Sequence, residues 1–91
     1  MNITDVRVRL AKNAIGKLKA VASITIDNCF AVHDIKIIAG DSGPFIAMPS
    51  RKTPEGEFKD IAHPINPEAR AMISDLILKA YQTQLDAEED N

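Results

Sequence analysis

The sequence predicts an α+β fold, an antiparallel β-meander of about five strands followed by one long C-terminal helix. Three observations predict it. Apolar and polar residues alternate with period two in "DVRVRL" and "KLKAVASITI", the pattern of half-buried strands. Asp27-Asn28 stands between two such runs, and both residue types tolerate the positive φ of a tight hairpin turn. From Asn66 onward the apolar residues recur at helical spacing behind an intact start signal.

The elements follow in order. "DVRVRL" puts Val6, Val8 and Leu10 on one face and Asp5, Arg7 and Arg9 on the other. "KNAIG" reads as a loop. "KLKAVASITI" turns Leu18, Ala20, Ala22, Ile24 and Ile26 inward, and "CFAVHDIKII" returns antiparallel to it. "AGDSG" breaks the chain. "PFIAMP" is a short strand ending at Pro49, "TPEGE" a turn and "FKDIA" a fifth strand. The helix opens with Asn66 as N-cap and Pro67 in the first helical position. Glu68 lies in the first turn, where the helix dipole favours an anion. Ala69, Met72, Ile73, Leu76, Ile77 and Ala80 form its apolar face. Residues 1–85 make one domain, and the acidic residues 86–91, "DAEEDN", are expected to be a disordered tail.

A 91-residue chain is near the small end of what folds alone, so self-association is expected. The single cysteine, Cys29, permits no intrachain disulfide and fits a reducing compartment. No apolar run approaches the roughly 20 residues of a membrane helix, and the N-terminus lacks the layout of a signal peptide. A cytoplasmic protein without membrane association is expected. The net charge of −2 hides an asymmetry. Residues 1–60 hold nine Lys/Arg against seven Asp/Glu, and residues 61–91 two against six. The balance argues against nonspecific coating of nucleic acid but leaves room for a local basic surface.

A two-residue Asp27-Asn28 turn would place Ile26 opposite Cys29, Ala22 opposite His33 and Ala20 opposite Ile35. With Leu10 opposite Leu18, the outer face would carry a row of three cations, Arg9, Lys19 and Lys36. Like charges directly opposed in a sheet are unfavourable, and an anionic partner would relieve them. Stems that splay into water would also do so. At the other end of that face, Val21, Phe30 and Val32 would form an apolar patch that one helix cannot cover. This is the expected dimer contact.

Residues capable of catalysis do not assemble. His33 and Asp34 are adjacent on a strand, so they should point to opposite faces. His33 is expected in the core with a satisfied nitrogen, and Cys29 as a buried, inert thiol. Cys29, His33 and His63 lack metal-site spacing. "AGDSG" lacks the Lys-Ser/Thr of a phosphate loop. No enzyme, cofactor, metal or small-molecule substrate is expected. The stronger signal is Arg51-Lys52, held on a loop between Pro49 and the "TPEG" turn. Arginine can fork to phosphate or to a guanine edge, and lysine adds a point charge. A solvated surface loop is the competing reading.

"ITDVRVR", "ASITIDNCFAVHDIKII", "FIAMPSRKTPEGEFKDIAHPIN" and the helix after them resemble the stage V sporulation protein G (SpoVG, septation protein) family. The resemblance covers roughly residues 2–82, and "AMPSRKTPEGEFKDIAHPI" is its most specific stretch. It implies a small bacterial regulator linked to septation and sporulation, with members implicated in DNA and RNA binding. It also implies a sheet, a C-terminal helix and a homodimer built through strands. The family's basic pair after "MPS" falls on Arg51 and Lys52, with Lys59 and Arg70 expected to join them. The helix surface, with Glu68, Arg70, Asp75 and Lys79, is not basic enough to favour a helix in the major groove. Two symmetry-related copies would bind two half-sites. The alternative is a protein-interaction module in septum formation that binds no nucleic acid specifically.

Overall fold

The computed structural model describes residues 2–11 and 16–89. The loop expected over residues 12–16 therefore lies, except for Gly16, outside the described residues. The described elements are β1 (Ile3–Leu10), β2 (Leu18–Ile26), β3 (Phe30–Gly40), β4 (Gly43–Ala47), β5 (Ser50–Lys52), β6 (Phe58–Asp60) and α1 (Pro67–Glu89). The first four strands form one antiparallel sheet in the order β1-β2-β3-β4, and β5 and β6 pair as a separate two-stranded sheet. The α+β class and the single C-terminal helix agree with the alternation and start signals. The meander, however, splits: Pro49 interrupts the chain after β4, and Arg51 and Lys52 lie in a strand rather than a loop.

The helix lies on one face of the larger sheet. Ala20, Ala22 and Ile24 of β2, Ile35 and Ile37 of β3, and Ile46 and Met48 pack there against Ile73, Ile77 and Tyr81. The small alanines of β2 leave room for the helix, and the branched side chains around them fill the space. The buried helical face is Ile73, Ile77 and Tyr81, spaced four apart. It is rotated from the expected one, since Leu76 lies outside the core and Tyr81, absent from the expected face, is inside. Asn66 Oδ1 accepts a hydrogen bond from the Ala69 amide at 2.7 Å, which is the predicted cap. Asn66→Ala is expected to cost about 1 kcal/mol and to lower the melting temperature by roughly 4–8 °C, measured by thermal denaturation. An unchanged midpoint would show that the cap contributes nothing. The helix runs to Glu89, so the stretch expected to be a disordered tail from residue 86 is helical as far as Glu89. Residues 90 and 91 lie outside the described ones.

The strand register departs from the expectation in three ways. The Asp27-Asn28 turn forms, with φ of 51° and 55° and a Cys29 amide to Ile26 carbonyl bond of 3.0 Å. Pairing resumes one residue later, with Ile26 opposite Phe30 and Ile24 opposite Val32. Phe30 and Val32 therefore share the helix-side face with Ile24, while Val21 lies on the opposite face beside Lys36. The expected patch of Val21, Phe30 and Val32 is split between the two faces. Cys29, in the turn, is exposed rather than buried.

The second departure is a bulge. Ala22 pairs with Ile35 and Ile24 with Val32, so Ser23 stands against two residues, His33 and Asp34. Asp34 takes a φ of 64°, a left-handed conformation that aspartate adopts more readily than most residues. The extra residue breaks the alternation. His33 is exposed, not in the core, and both His33 and Asp34 line one cleft on the uncovered face.

The third concerns the cation row. Leu10 pairs with Ala20 and Arg9 with Val21, two positions from the expected register. Arg9, Val21, Lys36 and Ala47 form a row across the four strands, with a valine between the two cations. Lys19 falls at a second irregularity, between the Leu18–Ile38 and Ala20–Ile37 pairs. It lines a depression with Tyr81, Gln82 and Leu85 of the helix. The row of Arg9, Lys19 and Lys36 does not form, because the irregularity removes Lys19 from the face of the other two.

Candidate nucleic-acid interface

The β5–β6 hairpin is closed by its own turn chemistry. The Thr53 amide donates to the Glu57 carbonyl at 2.7 Å, and the Gly56 amide donates to the Thr53 carbonyl at 2.9 Å. The Thr53 hydroxyl accepts from the Glu57 amide at 3.2 Å. Gly56 has a φ of 90°, where a side chain would be strained. At the base of the hairpin, the Ile61 amide donates to the Pro49 carbonyl at 2.7 Å. The cations are thus carried on a defined ribbon, so little conformational entropy is lost when they meet a ligand.

The register decides which of them act together. Arg51 is directly opposite Lys59, and Lys52 is opposite Phe58. Opposed residues share a face and neighbours in sequence alternate. Arg51 and Lys59 therefore stand side by side, while Lys52 points to the other face with Phe58. The sequence pair Arg51-Lys52 is not the spatial pair. Glu55, Glu57 and Asp60 are also on the hairpin. Even so, among the described residues the one ion pair is Arg7 Nε to Asp5 Oδ2 at 2.9 Å. Arg51, Lys52, Lys59 and Arg70 have no carboxylate partner among the described residues.

Arg70 lines a shallow depression with His63, Pro64, Ile65, Asn66 and Pro67, none of which belongs to the hairpin. Beside it an apolar groove of about 370 Å³ runs between the sheet and the helix N-terminus, lined by Ile24, Phe30, Val32, Met48, Ile65 and Ile73 among others. Its rim is unusually wet for such side chains, with Phe30 63% and Ile65 87% exposed. Phe58, also exposed, was not among the expected site residues. Its neighbour across the strands cannot be read without the hairpin register. Among the described residues no group of three His, Cys, Asp or Glu stands close enough to hold a metal ion. No described helix is long and apolar enough to cross a membrane.

Comparison with known proteins places this arrangement. A model of the SpoVG family matches residues 1–83. A protein of Caldicellulosiruptor bescii named "Putative septation protein SpoVG" is 60% identical over 89 residues, covering 98% of this chain and all of its own length. A Clostridium perfringens protein of the same name is 60% identical over 91 residues, again covering 98% of this chain and all of its own. One from Thermoanaerobacter pseudethanolicus is 66% identical over 82 residues, 90% of this chain and 88% of its own. The match takes in both the sheet and the hairpin with its opposed cations. The chain belongs to the SpoVG family.

Proposed function

We propose that the protein is a homodimeric, non-enzymatic regulator that binds DNA, and RNA in some settings, and acts in the cytoplasm in septation and sporulation. The observation that carries the reading is the opposition of Arg51 and Lys59 on a closed hairpin, without a carboxylate partner among the described residues. Two like charges held side by side repel, and a phosphate between them relieves the repulsion while accepting hydrogen bonds from both. Lys52, on the other face of the hairpin, and Arg70, at the helix start, lie outside this pair and are secondary to it. The septation role is supported by the names of the relatives. The dimer is supported by the exposed Phe30 and Ile65 at the rim of the apolar groove, since rigid apolar side chains of this size in water favour a second copy.

The test is selection from a diverse pool of short DNA and RNA at near-physiological salt, run on wild type and on Arg51→Ala/Lys59→Ala. The mass of each protein is measured alongside. Enrichment of a sequence by wild type alone, with both proteins dimeric, supports the reading. Equal behaviour of the two proteins rejects the hairpin as the reader. A second reading is a protein-docking module in septum formation, favoured by the same groove. It predicts no enrichment by either protein and loss of a protein partner on Phe30→Ser.

A further inference from the structure

We propose that the cleft on the uncovered face of the four-stranded sheet, between Arg7, Arg9, Ser23 and His33, binds a phosphate group that carries an ionisable proton, as in inorganic phosphate or a small phosphomonoester. This site is separate from the hairpin. The cleft encloses about 280 Å³, close to the lower limit of small-ligand pockets. Arg7 and Arg9 stand two residues apart on one face of β1, about 7 Å along the strand. Ser23 lies directly opposite Arg7, and the β3 bulge brings His33 and Asp34 against Ser23. Residues of three strands thus line one hollow.

The donors are free to act. Arg7 uses only Nε on Asp5, at 2.9 Å. That bond orients the guanidinium and leaves its terminal NH₂ groups for a ligand. Asp5 itself does not line the cleft. Arg9, Ser23 and His33 make no side-chain hydrogen bond among the described residues. Two guanidinium groups, a hydroxyl and an imidazole N–H match the acceptor oxygens of a phosphate.

Asp34 gives the site its selectivity. Asp34 lines the same cleft, on a backbone with φ of 64°, and its carboxylate belongs to the proposed site. Strained backbone of this kind persists where the surrounding structure imposes it, and it collects at functional sites. A carboxylate accepts hydrogen bonds and repels an acceptor-only anion. A phosphate that keeps one proton can donate P–OH to Asp34 while the arginines take its other oxygens. Sulfate, fully ionised near neutrality, has no such donor, and neither has the diester of a nucleic-acid backbone. The cleft is therefore matched to a phosphomonoester or free phosphate, and not to the polymer proposed for the hairpin.

The experiment is an NMR titration of the full chain at pH near 6, where a phosphomonoester retains its second proton in about half of the molecules. The probes are inorganic phosphate, a nucleoside 5′-monophosphate, sulfate and a short oligonucleotide without a terminal phosphate. Saturable shifts at Arg7, Ser23, His33 and Asp34 with phosphate or the monophosphate are expected, with sulfate at least about tenfold weaker. Tighter binding of the monophosphate identifies a small phosphorylated ligand, and equal binding identifies free phosphate; both fit. Arg9→Gln should weaken binding by about tenfold or more, the loss of a charge-assisted hydrogen bond. Asp34→Asn tolerates the same φ and should abolish the preference over sulfate. Arg51→Ala/Lys59→Ala should bind phosphate as wild type does, whether or not the hairpin binds nucleic acid. Equal binding of sulfate and phosphate by wild type, shifts spread without saturation over all exposed cations, or unchanged binding by Arg9→Gln would each overturn the proposal. So would displacement of phosphate from the cleft by the oligonucleotide.

Discussion

Ile77→Ala is expected to destabilise the protein by about 2–5 kcal/mol, the cost of removing a buried branched side chain and leaving a cavity. Ile77 is fully buried, and so are Ile35 and Ile37 of the sheet. A domain of this size has a total stability of only about 5–14 kcal/mol, so the change removes a large fraction of it. Relaxation cannot easily close the gap. Ala20 and Ala22 opposite the helix have no side-chain length with which to fill it, and β2 is held by strands on both sides. Leu76→Ala is the control. Leu76 is 37% exposed, and its truncation should cost less than about 1 kcal/mol. Chemical denaturation of both variants measures the difference. Equal midpoints would mean that the helix does not present the face described.

Arg51→Ala/Lys59→Ala is expected to lower oligonucleotide affinity by about a hundredfold or more. Each charge-assisted hydrogen bond to phosphate contributes roughly 1.5–3 kcal/mol, and two are removed. The salt dependence should fall with it. Each phosphate contact contributes about 0.9 to the log–log slope on duplex DNA and about 0.7 on a single strand, so the slope should drop by roughly 1.4–1.8. Lys52→Ala, on the other face of the ribbon, should have the smaller effect. The double variant should fold at least as well as wild type, because it removes a directly opposed like-charge pair. Binding isotherms across a salt series, with melting curves on the same samples, check both statements. An unchanged slope would place the phosphate contacts elsewhere on the molecule.

The two experiments bear on different levels of the structure. The first concerns which residues the helix buries, the second which cations a hairpin brings together. In each case the residue types are visible in the sequence and the pairing is not. Leu76 and Ile77 are equally apolar, yet the helix rotates so that Tyr81 rather than Leu76 completes the buried face. Arg51 and Lys52 are neighbours in the chain, yet Arg51 stands beside Lys59.

The α+β class, the strands β1 to β4 and the Asn66 cap all follow from local chemistry, while the family was legible only as a resemblance carried by "AMPSRKTPEGEFKDIAHPI". Alternation, turn propensity and capping operate over a few residues, and those residues are written next to one another. What local chemistry leaves open is register. One residue more between β2 and β3 moves Phe30 and Val32 to the helix side, and the bulge at His33-Asp34 returns Ile35 and Ile37 to the core. A side-chain period of two makes each such step a change of face. The bulge and the irregularity at Lys19 depend on packing against strands and a helix far away in sequence. The cleft on the uncovered face, the separation of Lys19 from Arg9 and Lys36, and the pairing of Arg51 with Lys59 are therefore properties of the assembled sheets, where distant side chains compete for the same space and the best-packed register wins.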